Sequence, residues 1–190
     1  MPMKSETLDG TALLVIDMQR YFLSKGAPAY ISPPATLLPN VCSLIDSFRA
    51  TARPLVFTRH AHRRGSDTGE MGRWWRNRLL WEGTRNAELI PEIQPARGEL
   101  LITKTRYSAF EETKLAAYLK KKRVRKIVIC GVMTNFCVET TARHAFMKDF
   151  EVFVVSDACA SSDKRYHKAS LLNLAHGFAR IVKTREIVAT

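Results

Sequence analysis

The feature that most constrains this 190-residue chain is a rhythm. Short β-branched apolar runs alternate with stretches of helical periodicity. The runs are ALLVI (12–16), PLVFT (54–58), ELLIT (99–103), KIVICG (126–131), VFVVS (152–156) and RIVK (180–183). They are apolar nearly throughout, as expected of strands covered on both faces. Segments 34–52, 112–122, 135–148 and 164–177 read as helices. In the first, Leu37, Val41, Leu44, Ile45 and Phe48 recur at spacings of three and four, and in the third Val138, Thr141, Ala142, Ala145 and Phe146 do the same. Strands alternating with helices predict βαβ units. The expected fold is therefore α/β, a three-layer α/β/α sandwich around a six-stranded, mainly parallel sheet. Residues 1–190 are expected to form one domain, long enough to bury a core without disulfides or a structural metal.

One connection breaks the rhythm. Segment 59–98 is about forty residues of weak pattern, the length of a lid or binding loop rather than a plain turn. It predicts a partly helical, lid-like insertion carrying Trp74, Trp75 and Trp81. The longest clean apolar runs are far too short to cross a bilayer, so no membrane partner is expected. The opening MPMKSETLDG has no apolar core of an export signal. The four Cys sit in no metal-ligand or redox spacing. Together these predict reduced thiols and a cytoplasmic location.

The net charge of +12 invites a nucleic-acid reading. Six of the seven residues in KKKRVRK (120–126) are basic, but they fall at the end of a predicted helix, where cations complement the carbonyl dipoles. No zinc-finger, RNA-recognition or basic-zipper pattern accompanies them. The expected partner is a small molecule, with no nucleic acid.

In an open parallel sheet, ligands bind beyond the carboxyl ends of the strands. The first strand delivers Asp17 there, the third Lys104, and the fourth the segment GVMTNFC with Cys137. Read alone, each has an ordinary role: a turn cap, a solvated lysine, a small core filler. Together they form a coherent chemistry. A neighbouring ammonium and a helix N-terminus favour a thiolate nucleophile. Thr134 is a candidate N-cap, which would leave the Cys137 N–H among the unpaired donors able to hold an oxyanion. Asp17 could shuttle protons. Other candidates are weaker. His144 lies two helical turns from Cys137, too far for a Cys–His pair. His60 and His62 could ligate a metal but lack a clear third ligand and read as loop histidines. His167 and His176 read as structural or solvent-facing. Cys42, Cys130 and Cys159 read as inert.

The segments ALLVIDMQRYF (12–22), LLITKTRYSAF (100–110), VICGVMTNFCVETTARHAF (128–146) and VVSDACAS (154–161) resemble the isochorismatase-like cysteine hydrolase superfamily, over about residues 12–184. The resemblance implies the same sandwich fold and a hydrolase with an Asp–Lys–Cys triad on Asp17, Lys104 and Cys137. It also implies a cis peptide between Val132 and Met133, with the N–H groups of Met133 and Cys137 serving the oxyanion. The implied reaction is cleavage of a small amide or carbamoyl C–N bond through a Cys137 thioester, with Asp17 moving the protons.

Subfamily departures bear on substrate. Nicotinamidases of this superfamily hold a metal through an Asp and histidines just after the second strand, in a D-x-H context. Here the segment reads TRHAH, with His60 where the Asp would fall. No metal and no cofactor are therefore implied, and nicotinamide is left as an alternative substrate. True isochorismatases share the surroundings of RYSAF and TTARHAF, usually lack the Cys, and hydrolyse a vinyl ether with the Asp as proton donor. The retained Cys137 favours C–N cleavage. A third alternative is a basic binding protein on a retained enzyme fold. Phe22, Trp74, Trp75, Tyr107 and Phe136 are candidate pocket residues for a flat or apolar group. By the same resemblance, a dimer or tetramer is expected.

Overall fold

A computed structural model describes residues 8–188. The opening residues 1–7, on which part of the export-signal reading rests, lie outside them. Six strands form one sheet: β1 Thr11–Ile16, β2 Leu55–His60, β3 Leu100–Lys104, β4 Lys126–Val132, β5 Glu151–Ala160 and β6 Arg180–Val182. Their order is β3-β2-β1-β4-β5-β6, and every neighbouring pair is parallel. Among the described residues, seven α-helices connect or flank them: α1 Arg20–Leu23, α2 Leu37–Ala50, α3 Gly69–Trp75, α4 Leu115–Lys121, α5 Glu139–Phe146, α6 Lys164–Gly177 and α7 Thr184–Val188. Among the described residues, no helix is long and apolar enough to cross a membrane.

The apolar runs buy burial on both faces of the sheet. All six residues of β1 are buried. Its successive side chains point to opposite layers. Leu13 and Val15 pack with Leu37, Val41, Leu44, Ile45 and Phe48 of α2 and Ile187 of α7. Ala12, Leu14 and Ile16 pack with Leu115 and Leu119 of α4, Ala142 and Ala145 of α5 and Leu174 of α6. At roughly 1.5–3 kcal/mol for each large side chain removed from water, these two layers dominate the stability of the sheet.

The order of strands reverses at β1 and β4, which lie side by side while their successors run to opposite edges. A crevice opens beyond the carboxyl ends at such a point. The basic run lies at the other edge. Lys120–Arg123 and Arg125 are exposed at the end of α4 and the approach to β4, and the N–H groups of Arg125 and Lys126 donate to Gly10 O.

Boundaries differ from the sequence reading where side chains compete for the backbone. Helix α4 begins later than position 112 because Phe110 N–H donates to Ser108 Oγ and Leu115 N–H to Thr113 Oγ1, and Glu112 takes φ +53°. The expected helix 135–148 opens as a π-helical turn, Thr134–Val138, before α5. Strand β5 runs four residues beyond 156, because a register shift after Ile129 lets Cys159 and Ala160 pair with Gly131 and Val132.

Gly131 is where β4 passes closest to β1. It has φ +114°, and a Cβ there would sit inside contact distance of the Ile16 carbonyl and amide. Gly131→Ala is expected to destabilise the protein by at least about 3 kcal/mol. Urea unfolding would measure the loss, and a midpoint within error of wild type would refute the close-approach argument.

Candidate active site

Three strand ends deliver the central group. Asp17 follows β1 in the left-handed region, φ +48°, a conformation Asp tolerates better than most side chains. Its Oδ1 accepts from Thr58 Oγ–H at 2.6 Å, and its N–H donates to Thr58 Oγ1 and to Thr58 O, each at 3.2 Å. Lys104 closes β3, level with His60 across the β2–β3 pairing. Its stem reaches past β2 to the site. Cys137 sits in the π-helical turn after β4, where the N–H groups of Phe136 and Val138 both donate to Met133 O. The Val132–Met133 peptide is cis.

The ammonium of Lys104 joins the three. Its Nζ lies 2.7 Å from Asp17 Oδ2 and donates to Cys137 Sγ at 3.2 Å and to Arg106 O at 3.1 Å. A lysine has three N–H groups, so its hydrogen-bonding capacity is met without water. That matters because Lys104 and Asp17 are both fully buried side chains. Burial works against the charge on Lys104, but Asp17 and Cys137 outweigh it and hold the ammonium above its ordinary range. For Cys137 the balance goes the other way. Burial pushes the thiol up to about 12, the Lys104 ammonium pulls it down less, and Asp17 adds to the rise. Burial thus works against a standing thiolate while the ammonium works for it, and the Asp17 carboxylate stands beside the thiol.

Cys137 opens into a cavity of about 580 Å³. Of the expected pocket residues, Phe22, Trp75, Tyr107 and Phe136 line it. Tyr107 stacks on Phe136 with centroids 5.1 Å apart, Trp75 meets Phe136 edge-on at 5.8 Å, and Trp75 Nε1–H donates to Tyr107 Oη at 2.8 Å. Trp74, expected with them, is 78% exposed and faces solvent. Adjacent helical residues point about 100° apart, so the turn of α3 that brings Trp75 inward sends Trp74 out. Trp81 packs near His62 instead, 6.2 Å between rings.

The histidines also depart from their reading. His60 is no loop residue: it ends β2, is 7% exposed and lines the cavity. His62 is fully buried. Their rings stand edge to face, 5.0 Å apart. Among the described residues, no group of three His, Cys, Asp or Glu side chains lies together to hold a metal ion. The donor set does not fit the metal of the nicotinamidase pattern. Thr134 does not cap the helix with its side chain; Thr134 Oγ1 pairs with His167 Nδ1 at 2.8 Å, tying the π turn to α6. His144 pairs with Ser108 Oγ at 2.9 Å, and His176 is exposed.

Two supporting residues escaped the sequence reading. Gln19 is buried; its Oε1 accepts from His60 N–H at 2.7 Å and its Nε2 donates to the carbonyls of His60 and Ala87, both at 2.9 Å. Thr58 holds Asp17 as described. Each is a polar residue closing an otherwise apolar run, a signal that marks a strand end without saying what it will touch.

The Isochorismatase domain family matches residues 11–186. The chain belongs to the isochorismatase family. Nicotinamidase 3 of Arabidopsis thaliana is 43% identical over 90% of this chain and 83% of its own length. A cysteine hydrolase from Pseudomonas syringae pv. phaseolicola superposes with TM-score 0.92 at 28% identity, covering 100% of this chain and 94% of that one. N-carbamoylsarcosine amidase from Thermoplasma acidophilum superposes with TM-score 0.78 at 25% identity, covering 92% and 96%. The protein is an isochorismatase-family hydrolase of α/β fold.

A thiol held near 12 gives a clear expectation for alkylation. Inactivation by iodoacetamide should be slow at pH 7 and rise about tenfold per pH unit to pH 9 without a plateau, because only the thiolate reacts. A rate that levels off near neutral pH would show an ionised resting sulfur.

Proposed function

We propose that this hydrolase is a cysteine amidohydrolase, cleaving the C–N bond of a small, flat carboxamide through a thioester on Cys137. The observation that carries the reading is Cys137 Sγ, 3.2 Å from a buried ammonium and open to an aromatic-walled cavity. The relatives support it by their chemistry, since both the nicotinamidase and the carbamoylsarcosine amidase are named for amide cleavage.

The charge arrangement favours the first step. At rest the Lys104 cation is paired with the Asp17 anion, and the sulfur is neutral. When Asp17 takes the thiol proton, the same cation is paired with a thiolate. The buried site contains one positive and one negative charge before and after, so the proton moves without creating an unpaired charge in a medium that would penalise it. The thiolate attacks the amide carbonyl, and the N–H groups of Met133 and Cys137 hold the oxyanion. Asp17 returns the proton to the leaving nitrogen and ammonia departs. Water then attacks the thioester as Asp17 accepts its proton; the acid leaves and the thiol is restored.

Ammonia release from a panel of small amides, including nicotinamide, benzamide and N-carbamoyl amino acids, tests this. Cys137→Ala and Asp17→Asn should each lower kcat at least about a thousandfold, while Cys137→Ala leaves thermal stability nearly unchanged. Asp17→Asn is preferred to Asp17→Ala because it keeps the side-chain volume and an oxygen acceptor for the Lys104 ammonium, although either variant removes the counter-charge. Isochorismate cleavage that survives Cys137→Ala but not Asp17→Asn would replace this reading with vinyl-ether hydrolysis.

A further inference from the structure

Outside the catalytic group, the described residues lining the cavity include one fixed charge. Arg78 lines it, and no Asp or Glu does. His60 is pushed down to about 3 by burial and the Lys104 ammonium, and is neutral. Arg78 belongs to the insertion, at the end of a stretch, 63–78, that holds five Arg against one Asp and one Glu. Its place is fixed by the buried Tyr21, another lining residue, whose Oη–H donates to Arg78 O at 2.6 Å. The guanidinium lies near enough for its charge to act on that same phenol, against the rise that burial imposes there. The two acids of the stretch are engaged elsewhere: Glu70 pairs with Arg73, and Asp67 Oδ1 accepts from Gly69 N–H. Among the described residues Arg78 makes no ion pair. An arginine stays protonated at any working pH and presents parallel N–H groups that match a carboxylate. Because Arg78 is exposed while Cys137 is buried, the cation marks the solvent side of the cavity and the sulfur its inner end.

We propose that Arg78 is a specificity-determining residue that selects amides carrying a carboxylate: its guanidinium pairs with the carboxylate at the outer end of the cavity while the carboxamide meets Cys137 at the inner end. The inference rests on the amidohydrolase reading and deepens it, since the substrate becomes an amide acid rather than a neutral amide. The Tyr107–Phe136–Trp75 wall takes the flat spacer between the two ends. The surplus positive charge of the insertion also concentrates an anion at the opening before it docks, an effect that salt suppresses. A neutral group in place of the carboxylate gains nothing from Arg78, and a cationic one is repelled.

The test is a binding measurement that needs no turnover. Cys137→Ala is titrated calorimetrically with meta- and para-carbamoylbenzoate, with the methyl ester of each, and with benzamide. One of the acids should bind at least about fivefold more tightly than its ester and than benzamide, a gain between that of an exposed ion pair and that of a buried charged hydrogen bond. The preference should shrink severalfold as salt rises from about 0.05 to about 0.5 M. Adding Arg78→Gln should bring the acid-to-ester ratio close to one, and Arg78→Glu should invert it. The acid–ester comparison and its salt dependence are read with Arg78 intact, so they decide the matter even if the arginine variants do not fold. Acids bound no better than their esters, no binding of any amide, a preference indifferent to salt, a preference that survives Arg78→Gln, or equal weakening of every amide by Arg78→Gln would each overturn the proposal. Failure of the amidohydrolase reading is seen separately, as absence of ammonia release from all of these amides by the wild-type protein.

Discussion

The site depends on one buried ammonium. Lys104 sits in the interior with three acceptors arranged around it: a carboxylate, a sulfur and a main-chain carbonyl. A charge of this kind is tolerated in a low-dielectric interior only when paired and hydrogen-bonded. The pairing fixes where β1, β3 and β4 must end relative to one another. The Asp17 turn, the Thr58 hydroxyl and the Arg106 carbonyl are each set by it. In the other direction, the fold keeps the ammonium in place, since β3 is held in register with β2 over five residue pairs ending at His60 and Lys104. Architecture and chemistry thus share a single constraint.

The strands were legible because each is an apolar run long enough to be covered on both sides, and the meeting of Asp17, Lys104 and Cys137 was legible because such strands end at a common edge. No spacing rule could have linked Asp17 to Cys137; the parallel topology did. What escaped the sequence depends on contacts made across the sheet. The phase of α3, which separates Trp75 from Trp74, is decided by what it packs against. The partner of Thr134 lies on α6, far along the chain, so a local capping rule chose the wrong role for it. The burial of His60 follows from β2 continuing to the edge under a clamp from Gln19, whereas its surroundings in sequence look like a loop.

The state of the sulfur separates two ideas of nucleophile activation. A cysteine at the start of a helix near a lysine is readily read as a standing thiolate. Here the same neighbours are present, but solvent is excluded and a carboxylate stands opposite, so burial outweighs the ammonium. On the proposed mechanism, reactivity resides in the arrangement of acid and base around the thiol rather than in the thiol itself. The other buried cysteines show what burial does without such neighbours: Cys130 is held well above the ordinary thiol range and Cys159 is pushed up to about 12, and neither has an ammonium beside it.

The placement of the basic run has a consequence for surface engineering. Lys120–Arg123 and Arg125 stand in solvent at the amino end of β4, while the sulfur lies past its carboxyl end. A seven-residue strand spans roughly 20 Å, more than twice the Debye length of about 8 Å at physiological ionic strength. Counter-ions therefore screen those lysines and arginines from the reacting atoms. The large positive charge of the molecule can be neutralised at that end, to change its solubility or its adhesion to polyanions, with the electrostatics of the crevice left as they are.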